Sequence, residues 1–265
     1  MSQRRRWSRT ELLVALNIYQ KLPFGQFNSR NPVITQVAEK LKRTPSSVAM
    51  KLCNLASLDP VLRMRGIRGL SGASQLDVDI WSEFHSNLEQ SVNASEIALR
   101  DVFGVHPEER FEVVPNEGFK RLSGQPPEVT TRPANIEQRR GQEYFRDVVL
   151  NNFNGRCGVT QLPVRELLVA SHILPWASYP NERLNPRNGL CLNRLHDAAF
   201  DRGLITFDSQ MRLMVSPLLK SHAADEAVKQ NFANLEGIPL SLPHDALQPD
   251  QNFLRVHRRK IFQRR

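Results

Sequence analysis

Apolar residues recur at helical spacing in the first part of the chain. Between residues 9 and 21 they fall on one face of a helix, and Ser8 or Thr10 stands before them as a candidate N-cap. Two further patterns of this kind follow the pairs Asn31-Pro32 and Thr44-Pro45, and proline is tolerated in the first turn of a helix. The spacing therefore predicts three short helices, arranged as a helix-turn-helix.

The next segment, residues 60–73, combines arginines with glycines and is predicted to be a mobile basic loop. A helical pattern resumes over residues 75–103 and completes an N-terminal helical domain, residues 1–103. Residues 104–134 contain five prolines and little apolar periodicity, which is typical of a linker.

Residues 135–265 show a mixed pattern. A helix is predicted around residues 136–153, and two short extended segments within 156–172 predict a β-hairpin that ends at His172. An irregular stretch with three prolines leads to a helical pattern over residues 190–203, and a second hairpin follows Gly203. The predicted fold class is α+β, with a helical N-terminal domain and a mixed C-terminal domain.

The charge is unevenly distributed along the 265 residues, whose formal net charge is +9. Residues 1–70 carry 13 Lys and Arg against 3 Asp and Glu, residues 71–250 carry 17 against 24, and residues 251–265 carry 6 against none. Both ends are therefore predicted to bind a polyanion, because lysine and arginine displace counterions from phosphates. The alternative is a pair of solvated basic tails.

Cysteine usage and hydropathy limit the class of protein. The three cysteines form no C-x-x-C pair, so neither a disulfide framework nor a four-cysteine zinc site is expected. No apolar run is long enough to span a bilayer, and no apolar stretch of the kind found in a secretory signal follows the first arginines. We expect a reduced, cytoplasmic protein without a membrane partner.

The third predicted helix is a candidate for the DNA major groove. The motif Trp7-Ser8-x-x-Glu11-Leu12 ahead of three helices resembles small Myb-like or homeodomain-like DNA-binding bundles. A helical protein-interaction module is the alternative. The predicted DNA contacts of this domain are Arg43, Ser46, Ser47 and Lys51.

Three linked motifs lie in the C-terminal domain, in the order strand end, loop and helix. They are Ala170-Ser171-His172-Ile173-x-Pro175-Trp176, then Asn188-Gly189-Leu190, then His196-Asp197-x-x-Phe200-Asp201-x-Gly203. This order resembles the HNH, or ββα-metal, nuclease family, and most closely its restriction-type subgroup. The resemblance implies that the C-terminal domain is a ββα-metal nuclease domain.

The resemblance also assigns roles to three residues. His172 would take a proton from water, since a neutral histidine with a pKa near its reference value of about 6.5 is a suitable general base. Asn188 would fix the loop and hold His172 through a carbonyl hydrogen bond. His196 would bind one divalent metal ion through a ring nitrogen.

One position departs from the family's pattern. Many members carry an aspartate just before the strand-end histidine as a metal ligand, and Ser171 stands there in this chain. Asp201 is the candidate for the second ligand, and Asp197 and Asn193 are weaker alternatives. The expected cofactor is a divalent ion, Mg²⁺ first and Mn²⁺ as the alternative, with no structural zinc.

The sequence as a whole predicts a metal-dependent DNA endonuclease of restriction or defence type that acts on double-stranded DNA. Arg187 and Arg194 flank the predicted site and are candidate phosphate contacts. A homodimer is a candidate assembly, because each ββα-metal site cuts one strand. The alternatives are a DNA-binding regulator with an inactive HNH motif and an RNA-directed or homing-type nuclease.

Overall fold

The computed structural model describes residues 5–122 and 133–264. Its internal contacts divide the chain into two compact units, Met1–Val148 (unit 1) and Val149–Arg265 (unit 2). Helices and small antiparallel sheets occur together, so the α+β class is confirmed. Within the described ranges, no helix combines the length and the apolar character that crossing a bilayer requires.

Unit 1 is built mainly of helices, and the three predicted N-terminal helices are confirmed. Ser8 begins the first of them with a capping box that includes Glu11, while Asn31 and Thr44 cap the next two. The helices are α1 (Arg9–Lys21), α2 (Pro32–Lys40), α3 (Pro45–Ala56), α4 (Pro60–Met64), α5 (Gln75–Ser86), α6 (Leu88–Phe103) and α7 (Pro133–Asn152), whose residues after Val148 belong to unit 2. That α1 to α3 form a DNA-binding helix-turn-helix stays a prediction.

The basic segment 60–73 is more ordered than its sequence predicts. It begins with α4 and then runs back along α3, where the amide of Leu70 donates to the carbonyl of Cys53 at 3.1 Å. Asn54 Nδ2 donates to the carbonyl of Gly72 at 3.1 Å. A Cβ at Gly69 would lie 2.4 Å from the Cys53 carbonyl oxygen, so this close approach needs glycine. The segment is therefore attached to α3.

Part of the predicted linker is a β-hairpin, which corrects the assignment of residues 110–122. Strand β1 (Arg110–Val114) pairs with β2 (Gly118–Leu122) in antiparallel register. Phe111 and Phe119 stack across the two strands, with ring centroids 5.2 Å apart, and this pair buries apolar area that a solvated linker would expose. The rest of the predicted linker lies mostly outside the described residues, and the division into domains at 103 and 135 stays a prediction.

Unit 1 also buries a charged cluster between its helices. Lys21 Nζ lies 2.5 Å from Glu96 Oε1 and 3.0 Å from Asp147 Oδ2, and all three side chains are at most 3 % exposed. Asn17 Nδ2 donates to the same oxygen of Glu96 at 2.9 Å. Helices α1, α6 and α7 are thereby joined by ionic contacts inside the core.

The described residues of unit 2 form two small antiparallel sheets and four complete α-helices. Strand β3 (Leu168–His172) pairs with β4 (Gly189–Asn193), and β5 (Ile205–Phe207) pairs with β6 (Leu213–Val215). The helices are α8 (Arg194–Asp201), α9 (Pro217–Ser221), α10 (Glu226–Asn231) and α11 (Gln251–Lys260). The hairpin predicted after Gly203 is confirmed as β5 and β6.

The hairpin predicted within residues 156–172 is wrong in its pairing. Its second segment is strand β3, but the partner is β4, which comes from the start of the predicted helix 190–203. Apolar residues at 190–192 are buried in the sheet, and Asn193 then caps α8. Cys157 and Cys191 are buried cysteines that no disulfide joins.

Helix α11 packs on this fold through a buried histidine. The ring of His257 stacks on Phe200 with centroids 3.8 Å apart, its Nδ1 lies 2.9 Å from Thr206 Oγ1, and its Nε2 lies 3.1 Å from the Phe200 carbonyl oxygen. A neutral ring satisfies both contacts, because Nε2 donates and Nδ1 accepts. The pKa of His257 is lowered to about 4, because burial and, less strongly, the charge of Arg258 outweigh the opposing effect of the Phe200 carbonyl.

We expect unit 2 to lose stability in mild acid because of this histidine. The unfolded chain binds the proton near the ordinary pKa of 6.5 and the folded chain only near 4. This histidine therefore leaves the free energy of unfolding unchanged above pH 6.5. Between pH 6.5 and pH 4 it lowers that free energy by about 3 kcal/mol. Urea unfolding at about pH 7.5 and about pH 4.5 measures the loss, and His257→Gln should reduce it while the exposed control His222→Gln should not. An equal pH dependence in both variants would contradict the assignment.

Candidate nuclease site

The candidate site is carried by two strands, the loop that joins them and one helix. Strand β3 ends at His172, which stands opposite Gly189 at the start of β4, and α8 follows β4 directly. The loop 173–188 leaves the sheet and returns to it at this same end. Residues from the strand, the loop and the helix are thus placed within a short distance of one another.

Asn188 holds the loop closed. Its side chain is 1 % exposed, its Oδ1 accepts from the amide of Leu174 at 2.8 Å, and its Nδ2 donates to the carbonyl of Glu182 at 3.0 Å. Its own carbonyl accepts from the amide of Ile173 at 2.9 Å. Because an amide side chain both donates and accepts, an aspartate would lose the contact with Glu182. The predicted role of fixing the loop agrees with these contacts.

The ring of His172 is oriented by the backbone of the loop. Its Nε2 lies 2.9 Å from the carbonyl oxygen of Arg183, so Nε2 carries the proton and Nδ1 carries the lone pair of the neutral ring. Trp176 packs edge-on against the ring with centroids 5.3 Å apart, and the Arg183 guanidinium lies 4.9 Å from the centroid of the same indole. Trp176 therefore packs over the site.

The pKa of His172 is set by opposing effects. Burial lowers it below the ordinary value, whereas the carbonyl of Arg183 and the charge of Asp197 raise it. The net effect is a pKa below the ordinary value, so the ring of His172 is neutral at neutral pH. A neutral imidazole close to a carboxylate can accept a proton and is then stabilised as a cation by that carboxylate.

Asp197 faces the strand end from helix α8. Burial raises its pKa, while the hydroxyl of Ser171, the charge of Arg194 and the charge of His172 lower it. Ser171 is 2 % exposed, and its hydroxyl is close enough to Asp197 to lower the pKa of this carboxyl. The structure thus places Asp197 beside the position where many HNH proteins carry an aspartate.

Asp201 is the second carboxylate of this group. It follows Asp197 by four residues, so the two side chains lie on one face of α8. Burial and then the negative charge of Asp197 raise the pKa of Asp201, whereas Arg202 lowers it. Two carboxylates this close repel each other unless a cation lies between them.

His196 has other partners. The residue is fully buried, its Nδ1 lies 3.0 Å from Asn193 Oδ1, and its Nε2 lies 2.9 Å from the carbonyl oxygen of Asn231. A metal ligand must present a lone pair, and in this conformation both ring nitrogens face oxygen atoms of the fold. His196 therefore links α8 to the end of α10, and Asn193, an alternative ligand in the sequence analysis, is the cap of α8. A metal role for His196 stays a prediction that requires its ring to exchange a partner.

The donor atoms present suit a hard cation. Among residues 5–122 and 133–264, no three His, Cys, Asp or Glu side chains stand in position to hold one metal ion. Asp197 and Asp201 nevertheless offer two carboxylates, and Mg²⁺ is commonly bound by one or two carboxylates together with water and substrate phosphate. These two residues fit such an ion, whereas a closed zinc site would need four ligands.

The two predicted phosphate contacts of this unit differ in their surroundings. Arg194 is exposed and close enough to Asp197 to lower the pKa of that carboxyl. Arg187 Nη2 lies 3.1 Å from Asp250 Oδ2, and its carbonyl accepts from the amide of Asp250 at 2.9 Å. Arg194 therefore lies at the site, while Arg187 connects the loop to the start of α11.

Two of the four predicted DNA contacts of unit 1 are used inside the fold. Arg43 pairs with Glu11 at 2.9 Å and lies 4.1 Å from the centroid of the Trp7 ring, and Lys51 pairs with Asp77 at 2.7 Å. Both side chains are 7 % exposed, so neither is presented to a phosphate, which corrects these two predictions. On the first turn of α3, Ser46 is exposed and Ser47 is half-buried, and their role in DNA binding stays a prediction.

The comparisons with known proteins address the same segment. No curated protein matches the chain. Residues 157–208 match the model of the HNH endonuclease family, and this range contains β3, the loop, β4, α8 and β5. The match supports nuclease activity in general, and nucleases of this family generally use divalent metal ions. Residues 157–208 are therefore similar to the HNH endonuclease family over the segment that carries the candidate site.

Proposed function

We propose that this protein is a metal-dependent endonuclease of double-stranded DNA in which His172 is the general base. The observation that carries the proposal is the neutral imidazole of His172, held by the Arg183 carbonyl beside Asp197, within the HNH segment. A base of this kind is most effective when its neutral form prevails at the working pH.

The reaction is hydrolysis of a phosphodiester bond. Nδ1 of His172 takes a proton from the attacking water, the oxygen of that water bonds to phosphorus, and the bond from phosphorus to the 3′ oxygen breaks. The leaving 3′ oxygen takes a proton from solvent water, and the products are a 5′-phosphate and a 3′-hydroxyl. The carboxylate of Asp197 stabilises the imidazolium that forms on His172, and the carbonyl of Arg183 fixes the orientation of the ring.

Asp197 and Asp201 are the residues that would hold the metal ion, with Mg²⁺ as the first candidate and Mn²⁺ as the second. When bound, the ion supplies positive charge to the phosphate and to the leaving oxygen. Asp197 takes over the role of the aspartate that Ser171 replaces, because its carboxylate reaches the strand end from α8. Arg194 adds a positive charge at the same place.

Recognition of DNA is assigned to unit 1. Exposed Arg63, Arg65 and Arg68 lie on the segment that is attached to α3, and Ser46 is exposed at the start of that helix. Arginines next to a helix that enters a groove position the protein by contacts to phosphate. A restriction or defence role and a homodimer are further parts of this proposal.

The second candidate is a DNA-binding regulator with an inactive HNH motif. It is favoured by one observation, the engagement of both His196 ring nitrogens with Asn193 and Asn231. Such a protein binds DNA but leaves its phosphodiester bonds intact. The two candidates differ in the products that they release, so cleavage decides between them.

Cleavage of supercoiled plasmid, both unmodified and methylated, in Mg²⁺, Mn²⁺ or EDTA tests the proposal. We expect nicking or linearisation that EDTA abolishes. Asp197→Asn should reduce the rate by at least about tenfold and raise the metal concentration required, because one carboxylate is lost. The matched control Glu226→Gln, at an exposed carboxylate of α10, should cut as the wild type does. Binding without cleavage on every substrate would favour the regulator, and cleavage that persists in EDTA would contradict the metal.

A further inference from the structure

We propose that helix α11 and the residues after it form a binding surface for the DNA backbone at the edge of the nuclease site. This inference rests on the proposed function, because it names where the duplex lies when its phosphodiester bond enters the site. The surface, called here the C-terminal patch, consists of Arg255, Arg258, Arg259, Lys260 and Arg264.

The patch stands on a helix that is part of the folded unit. Two residues of α11 anchor it to the unit: the ring of His257 stacks on Phe200, and the side chain of Leu254 is fully buried. The amide of Asp250 at the N-terminal end donates to the carbonyl of Arg187. The basic residues are therefore presented from a fixed helix, which lowers the entropic cost of binding a ligand compared with a solvated tail.

The end of the patch is attached to the residues that follow the site helix. The amide of Gln263 donates to the carbonyl of Gly203 at 2.9 Å, and its Nε2 donates to the carbonyl of Arg202 at 2.8 Å. Gly203 has φ +68°, and a Cβ there would lie 2.0 Å from the carbonyl oxygen of Ile261, so only glycine allows this approach. Gly203 comes two residues after Asp201.

The patch also touches the loop that carries Arg183 and Asn188. Lys260 Nζ donates to Tyr179 Oη at 3.2 Å and lies 5.9 Å from the centroid of the Tyr179 ring. Tyr179 belongs to the loop 173–188. The last turn of α11 and the residues beyond it therefore contact the residues that follow α8 and the loop whose Arg183 carbonyl holds His172.

The charge of the patch is poorly compensated within the unit. Residues 251–265 contain six Lys and Arg and no Asp or Glu. Burial lowers the pKa of Arg258, and the positive charges of Arg255 and Arg264 lower it further, while Asp208 raises it. Arginines this close repel one another, and a polyanion relieves the repulsion. The polyanion that a phosphodiester site receives is the nucleic acid itself.

DNA binding in EDTA tests the patch separately from cleavage. The full chain is titrated against a labelled DNA duplex by fluorescence anisotropy at several salt concentrations, and the test variant is Arg255→Gln/Arg259→Gln/Lys260→Gln. All three side chains are exposed, so the fold should tolerate the changes. The matched control neutralises three other exposed cations of unit 2, at Arg156, Lys220 and Lys229.

We expect the test variant to bind at least about tenfold more weakly at low salt. The slope of log K against log salt should decrease by about 3, since each lost phosphate contact contributes about 0.9. The control variant should show smaller changes both in affinity at low salt and in the salt slope. A charge-preserving variant, Arg255→Lys/Arg259→Lys, should bind nearly as the wild type does. Equal losses in the test and control variants would mean general electrostatic attraction only and would overturn the patch.

Failure of the nuclease proposal gives a different result. If the protein never cuts DNA in Mg²⁺ or Mn²⁺ but the test variant still shows weaker binding and a smaller salt slope, the nuclease proposal fails and the patch stands. If the protein cuts DNA but the test variant binds DNA with unchanged affinity, the proposed function stands and the patch is overturned.

Discussion

Replacing His172 by alanine is expected to reduce DNA cleavage by about a thousandfold, the contribution that a positioned general base makes to a hydrolysis. The imidazole is held by the carbonyl of Arg183 and lies close to the carboxylate of Asp197, so its removal takes away the proton acceptor and leaves the rest of the site in place. The measurement is the initial rate of plasmid nicking at a saturating concentration of Mg²⁺.

Two comparisons make this result specific to the base. The control is His222→Ala, because His222 is exposed and belongs to the same unit. Free imidazole added to His172→Ala should restore part of the rate. It can occupy the space that the side chain leaves and accept the proton of the attacking water. Cleavage by His172→Ala within about tenfold of the wild-type rate would mean that another group activates the water.

Replacing Lys21 by methionine is expected to lower the free energy of unfolding of unit 1 by about 3 to 5 kcal/mol. The change leaves the carboxylates of Glu96 and Asp147 buried without their cation. Burial by itself lowers the pKa of Lys21, but the two carboxylates raise it, and the net effect is a raised pKa. The lysine is therefore charged inside the core, and its charge is what the two acids require.

Urea unfolding followed by circular dichroism measures this loss, and two further variants test its cause. Lys220→Met removes a lysine whose ion pair with Glu236 is exposed, and it should change stability little. Adding Glu96→Gln to Lys21→Met should recover part of the loss, because one uncompensated charge disappears. A loss in Lys21→Met no larger than that in Lys220→Met would show that the buried cluster adds no net stability.

The sequence alone determined the first three helices of unit 1, and it predicted the main residues of the candidate site. Caps and hydrophobic spacing act within a few residues, so α1 was predicted at its observed bounds and α2 and α3 at their prolines. His172 and Asn188 were selected by their order in a motif, and the HNH match covers both. Asp197 was present only as a weaker alternative, although its spacing of four residues from Asp201 already placed the two carboxylates on one face of a helix.

Only the tertiary structure decided which distant groups meet. Strand β3 pairs with β4, which lies beyond the loop, instead of with the preceding extended segment within residues 156–172. Lys51 is neutralised by Asp77 from another helix, and the ring of His196 is held by the carbonyl of Asn231. Helix caps and periodicity depend on neighbours along the chain, and a short window of sequence contains them. Strand pairing and buried ion pairs join residues far apart in sequence, and their partners are set by the packing of the whole unit.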